Sequence, residues 1–539
     1  MRFNFDLSQF LGQNDIGRDY LNDFDRVSEF YSVKPDLKLL DKVLAERGKS
    51  FIVSREELCN ALREYNSRIG AGDTSLENID KLRDGEAFVV ATGQQAGMLT
   101  GPEYTVFKAI FAAKLAKTLT HELGRYFVPV FWVASEDSDL SEADNIKIIN
   151  NNDEFEVGKL DLRKYFGMPI GLLNNIDISE IIYFLEAHTI ETEFKASLIE
   201  MIRTSYSDDR SLSMAFASLM SGLLGSLGIV FIDPIEANIK KLGRQIFESE
   251  ILNPKRTPAL LREASQKLSG KGYSHVIDLA EDACSFYFYD KGSRNRVYYR
   301  DGHFITKYGT YSRERLLGVL ADSPELFMTS ISIRPLLQDY VLPTAIYVAG
   351  IGEVRYFCQL REIYESNNVA MPMIYPRSSL TIIEPKIEKI LSKYQLELTD
   401  FCTDIYELLE RFSGDDRLSA FIEKKNSVIR EISDFQDSLA AVERTLVDGV
   451  DRLKRSVSGY LSRTILKIEK ALVEQAGYGV SQLSRAKNHL FPRGRTQEMN
   501  INIFTYLIKG GLALIDRIYS RIDVKNPEHI VLTFFDKKE

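Results

Sequence analysis

The stretch AFVVATGQQAGMLTGPEYTVFKAI (87–110) decides the architecture. Ala87 to Ala91 run without a polar break, as a strand buried on both faces of a parallel sheet does. They enter Thr92-Gly93-Gln94-Gln95, and from Tyr104 to Leu119 Ala, Lys and Leu recur with the spacing of an amphipathic helix. A second apolar run, Val128–Ala134, stops abruptly at Ser135-Glu136-Asp137-Ser138-Asp139. Two strands separated by a helix predict a parallel pair, and GIVFID (228–233), TAIYVA (344–349) and Met373–Tyr375 repeat the pattern. The expected fold is an α/β doubly wound parallel sheet whose loops gather a ligand site at the strand C-terminal ends.

Outward from this sheet, residues 35–70 read as one helix, through Leu37, Leu40, Leu58, Leu62 and Tyr65. The core is expected at 1–150, 228–255 and 331–385. It is interrupted by a mostly helical insertion at 151–227 and a mixed insertion at 256–330. In the second insertion the alternation of Phe286, Phe288, Val297 and Tyr299 predicts a small antiparallel unit. A helical coiled coil is expected at 386–480, and a C-terminal segment at 481–539 that packs back on the core and closes with a strand at 529–536. Apolar positions from Leu418 through Phe421, Lys425, Val428, Ile432, Phe435 and Leu439 to Leu472 step by threes and fours without proline. As one helix the span would reach roughly 80 Å at 1.5 Å per residue, and it demands a partner helix, hence a homodimer, with a looser supercoil near Gly449.

Composition narrows the function. The 539 residues carry 68 Lys+Arg against 77 Asp+Glu, a net charge of -9, 44% hydrophobic residues and a mean hydropathy of -0.17. At roughly 100–200 residues per domain that is a globular chain of about three or four units. The acidic balance argues against a general nucleic-acid or membrane-surface binder, which needs surplus cations facing phosphates. Four scattered cysteines lack a Cys-x-x-Cys, and the six histidines form no zinc-ligand pattern, so neither a disulfide framework nor a zinc site is expected. The first residues, MRFNFDLSQF, mix acids and amides into their apolar positions, unlike a signal-peptide core, so a cytoplasmic protein is expected.

The loops supply the chemistry. Gly93, Gly97 and Gly101 recur every fourth residue, matching neither a dinucleotide fingerprint nor a Walker A loop. A Gly-rich strand-to-helix turn still lets backbone N–H groups approach an anion, with Gln94 and Gln95 adding amide donors and acceptors; the alternative is a tight turn with structural glycines. Glu136, Asp137 and Asp139 would raise one another's proton affinity and supply a general base, or hold Mg²⁺ beside a nucleotide; the alternative is a solvated acidic loop. Arg334 and Arg377 suit an acidic substrate, Gly352 allows close backbone approach, and Glu353 accepts from an amine or hydroxyl; the alternative is a set of ion pairs joining helices to strand ends. Trp132 reads as core.

Taken together, TGQQAGMLTGPEYTVFKAI (92–110), PVFWVASEDSD (129–139), GIVFIDP (228–234), IRPLLQDYVLPTAIYVAGIGEVRYF (333–357), MPMIYPRSSLTIIE (371–384) and LFPRGRTQE (490–498) resemble the bacillithiol biosynthesis cysteine-adding enzyme family. The resemblance spans nearly the whole chain. It implies a Rossmann-like core with two inserted units, a long coiled coil that makes a homodimer, ATP or ADP with Mg²⁺ as cofactor, and amide formation between cysteine and glucosaminyl malate. It carries substrate roles onto Gln94, Gln95, Arg334, Gln338, Gly352, Glu353, Tyr356 and Arg377, and catalytic roles onto Glu136, Asp137 and Asp139. Gly93 and Gly97 are expected at the nucleotide. Three positions depart from the family pattern: Ser138 where histidine is common, Ile351 within Gly350-Ile351-Gly352-Glu353, and Met499 where arginine is usual. On this reading Glu136 or a neighbouring Asp deprotonates the amine, Gln94 stabilises the oxyanion, and Arg334 or Arg377 clamps the malate carboxylates. Two other readings remain at this stage: a nucleotide-dependent ligase or nucleotidyl transferase acting on another amino acid and amine, and a non-catalytic coiled-coil scaffold.

Overall fold

Strand β1 (Phe88–Gln94) turns Phe88 and Val90 into one hydrophobic core and Val89 and Ala91 into another, because successive side chains on a strand face opposite sides. Strand β2 (Phe127–Val133) divides likewise, Phe127, Phe131 and Val133 against Val128, Val130 and the fully buried Trp132. A sheet with two buried faces needs helices on both. The helix Glu103–Leu123 covers the first face and Ala237–Leu252 the second. The computed structural model describes residues 11–534 except 13, 208, 404–407, 409–415, 441–446 and 476–478.

With β3 (Val230–Ile232), β4 (Thr344–Ala349) and β5 (Met373–Pro376), the sheet is parallel in the order β5-β4-β1-β2-β3. The chain moves outward from β1 to β3 and then returns to the other side of β1 for β4. The order therefore reverses between β1 and β4, and the crevice beyond their carboxyl ends is where such sheets bind ligands.

The expected single helix at 35–70 is two, Leu40–Ser50 and Arg55–Arg68, because Phe51–Ser54 leaves the helical path and the Ser54 hydroxyl accepts from Glu57 N at 3.3 Å, capping a new start. Residue 150 is not a clean boundary. An antiparallel hairpin, Asn145–Ile149 with Phe155–Lys159, crosses it on a polar turn in which Asp153 adopts φ 64°. Within 151–227 the helices Ser179–His188, Lys195–Ser205 and Leu212–Leu224 follow. The second insertion carries a five-stranded antiparallel sheet in the order 327–329, 283–290, 293–300, 303–305, 310–311. Residues 380–383 pair in parallel with 530–533, drawing the end of the chain back beside β5.

The long stripe forms two helices, Asp416–Ala440 and Val447–Gln475, packed on each other. Gln436 donates to Asp451 at 2.8 Å, a pair that a continuous helix would hold about 22 Å apart. The expected single long rod is thus corrected: the partner helix comes from the same chain. The expected steps at Val442 and Leu446, and the side chains of Leu418 and Leu472, lie outside the described residues. Among described residues no helix is long and apolar enough to cross a membrane.

Candidate active site

Lys108 lies one and a half turns into the helix that follows β1, and its buried ammonium reaches back to the end of that strand. It donates to Gly93 O at 2.6 Å, pairs with Glu353 Oε2 at 2.7 Å and lies 3.4 Å from Gln94 Oε1. Glu353 belongs to the helix Ile351–Phe357 that follows β4, so this ion pair spans the two strands at the point of reversal. Its other bonds come from Tyr347 OH at 2.6 Å and Gly350 N at 2.8 Å. Burial alone would raise the Glu353 carboxyl, but Lys108, Tyr347 and Gly350 N–H outweigh it and hold it below its usual range. Burial pushes Lys108 down, opposed by Glu353, and Arg377 and Arg334 push the same way as burial.

Arg334 heads the helix Arg334–Val341 and donates to Tyr356 OH at 2.6 Å. Burial would lower the guanidinium, but Tyr356, Tyr347 and Glu353 together raise it. Gln95 Nε2 donates to Asp139 O at 2.8 Å and ties the β1 loop to the β2 loop. Gln94, Gln95, Arg334, Glu353 and Tyr356 therefore line one region at the carboxyl edge of the sheet. Gly352 sits beside them, exposed, with open space where a side chain would stand.

Other expected site residues have different work. Glu136 is buried: one carboxylate oxygen pairs with Lys240, and the other accepts from Thr329 Oγ1 and, at 3.0 Å, from Thr329 N. A general base must reach the amine, and Glu136 is buried and tied to Lys240 and Thr329, so that assignment is corrected: Glu136 locks β2 to the helix Ala237–Leu252 and to the inserted sheet. Arg377 spends both terminal nitrogens on Glu498, at 2.9 Å each, so its fork is closed to a substrate carboxylate. Gln338 is fully buried and donates to Asp339 Oδ1 at 2.9 Å, away from the crevice. Gly93 and Gly97 are explained by packing: a Cβ on Gly93 would stand 2.6 Å from Trp132 O, and one on Gly97 2.8 Å from Gly101 Cα. Their lack of a side chain needs no phosphate.

In the acidic loop Asp137 Oδ1 accepts from Ser138 N at 2.7 Å and lies 3.8 Å from Arg294, while Asp139 is exposed. Glu142, three residues on, has its carboxyl raised by burial and by Asp139 and Asp137. Sequence reasoning missed Glu142, Lys108 and Tyr347. Glu142 was legible as one more acid in the same loop, whereas Lys108 looks like any helix lysine until the helix is docked. In the buried cluster the cations Lys108, Arg334 and Arg377 face the carboxylates Glu353 and Glu498, leaving one positive charge over; Arg334, half-buried, carries it to the surface. Two open clefts lie elsewhere, about 470 Å³ beside Glu57, Glu64 and Lys241 and about 390 Å³ beside Ser378, Asp523 and His529. Neither contains a residue expected at the site.

The description "Bacillithiol biosynthesis BshC, N-terminal Rossmann-like domain" matches residues 4–378, and "Bacillithiol biosynthesis BshC, C-terminal coiled-coil domain" matches 380–534. The chain belongs to the BshC family. Among its relatives, proteins named "Putative cysteine ligase BshC" are 31% identical in Salinibacter ruber, covering 96% of both chains, and 28% identical in Desulforamulus reducens, covering 96% of this chain and 97% of that one. Another from Geobacillus kaustophilus is 28% identical over 90% and 91%. The boundary between the two BshC matches falls at Ser379, between 378 and 380, where the chain leaves the sheet edge for the paired strands at 380–383. All the crevice residues from Gln94 to Tyr356 lie in the Rossmann-like part of this BshC chain, while Glu498, the partner of Arg377, comes from the coiled-coil part.

Proposed function

We propose that this BshC protein is a cysteine ligase that joins the cysteine carboxylate to the amine of glucosaminyl malate, forming the amide of bacillithiol or a closely related thiol. The observation that carries the reading is the unmatched positive charge of Arg334 beside Gln94, in the crevice between β1 and β4. A dicarboxylate substrate supplies the missing negative charge, and the guanidinium grips it through parallel N–H bonds. An amine attacks only when unprotonated. With Glu136 engaged by Lys240, the proton goes to the acidic 137–142 loop, where burial, Asp139 and Asp137 raise the proton affinity of Glu142. Gln94 then donates to the oxygen that gains charge.

A free carboxylate does not react with an amine, so activation needs a co-substrate, which we propose is ATP with Mg²⁺ carried on its phosphates: the carboxylate would take a phosphoryl or adenylyl group from ATP, and phosphate or AMP would leave as the amine attacks. Incubation with cysteine, glucosaminyl malate and ATP, followed by mass spectrometry, tests the reading: a cysteinyl amide that depends on all three supports it, and its absence sinks it. Calorimetry of Arg334→Ala should show weakened glucosaminyl malate binding, and unchanged affinity removes Arg334 from the site.

The working unit is proposed to be a cytoplasmic homodimer. The hairpin buries Val450 and Ile465 in its seam and half-buries Ile422, Lys425, Ile429, Ile432 and Leu439. Phe421, Val428 and Phe435, one heptad apart, remain exposed, as do Leu453 and Tyr460 on the other helix. An apolar arc about 100° wide on one helix is more than one neighbour covers, and a second copy offers the same surface.

A further inference from the structure

Every donor of the Lys108 ammonium has an acceptor: Gly93 O, Glu353 Oε2 and, more distantly, Gln94 Oε1. On the helix Phe111, Ala112 and Leu115 follow it as buried apolar residues, and an apolar residue at 108 would pack without the cost of burying a charge. What the charge supplies is direction. A lysine has donors and no acceptor, so only the oxygen end of the Gln94 amide faces it. With its oxygen held toward the lysine, the amide keeps its nitrogen as the end that Lys108 does not engage. The same ammonium keeps Glu353 ionised next to Arg334.

We infer that Lys108 is a positioning residue: it sets the polarity of Gln94, so that the amide presents N–H rather than oxygen to the reacting carbonyl. This rests on the amide-forming reading and deepens it, because an oxyanion is stabilised by a donor whose orientation is fixed before the reaction. A Gln94 free to rotate would offer its oxygen as readily and repel the developing charge.

The test is a double-mutant cycle in the full-length protein with Lys108→Met and Gln94→Met, reading kcat and KM for amide formation. Each single change should lower kcat on the order of 10²-fold, with KM for glucosaminyl malate within about threefold, and the double variant should lose little more than the worse single. Effects that multiply, or a Lys108→Met enzyme with unaltered kcat, overturn the inference. Crystal structures of the same variant read it without activity: Gln94 should leave its present rotamer, and a Gln94 that stays in place refutes the role. If the unaltered protein makes no amide, the ligase reading fails and the crystallographic readout alone decides the inference. If Lys108→Met does not fold, Gln94→Glu keeps an acceptor toward Lys108 while replacing the donor with oxygen; it should lose kcat at unchanged thermal stability, and retained activity overturns the proposal.

Discussion

Asp233 closes β3 with its carboxylate buried between the hydroxyls of Ser135 and Ser213, the latter at 2.8 Å. Burial raises it from 3.8 to about 6, so between those values the folded state holds a proton that the unfolded chain releases. Its contribution to stability is complete below about pH 4 and is lost as pH climbs to about 6, on the order of 3 kcal/mol at about 1.4 kcal/mol per unit. Asp233→Asn should flatten the denaturation free energy against pH across that interval relative to the parent; parallel curves would contradict it. Arg377 and Arg334 form a second contrast. Glu498→Ala leaves the Arg377 charge buried and unpaired and should cost about 3–5 kcal/mol in urea unfolding. Arg334→Ala should change substrate affinity far more than stability, since its side chain is only half-buried. Both arginines looked like substrate forks in the sequence. What separates them is a carboxylate 121 positions away in the chain, a distance no local pattern encodes.

At the scale of elements, the coiled-coil stripe shows what periodicity can and cannot say. Its heptad spacing predicted helices needing apolar cover, and two helices are present. Which neighbour covers them depends on whether the two helices pack on each other, and the sequence from Ala440 to Val447 carries no proline to announce a break. Replacing Phe421, Val428 and Phe435 with Ser should shift the protein from dimer to monomer in analytical ultracentrifugation, while circular dichroism keeps its helical signal; an unshifted dimer would locate the interface elsewhere. Besides its apolar contacts, the inserted antiparallel sheet is held by a buried lock, Lys240 between Glu136 and the Phe327 carbonyl, the latter at 2.6 Å. Glu136→Gln should weaken it, and hydrogen exchange should rise in 283–300 and 327–329 while β1 and β4 stay protected. Equal protection in both sheets would show that the lock is dispensable.

Over the whole molecule, segments far apart in the chain are tied to the parallel sheet and to its edge: Tyr375 of β5 donates to Val524 O at 2.8 Å. Arg47 near the start donates to the carbonyls of Thr344, Asp339 and Ala370, and residues 530–533 near the finish pair with 380–383. The sequence by itself determined the parallel sheet, because short apolar runs alternating with helical stretches read as strands buried on both faces and joined by crossovers, and it determined that loops rich in acids, amides and arginines would follow those strands. Only the tertiary structure decided which of those polar groups remain available. Lys240 claims Glu136, Glu498 claims Arg377, and Lys108 pairs with Glu353 and faces the oxygen of Gln94. The reason is physical: burial of apolar surface is read from neighbours a few residues apart, whereas a charge inside a protein is settled by whichever opposite charge the folded chain brings within about 3 Å.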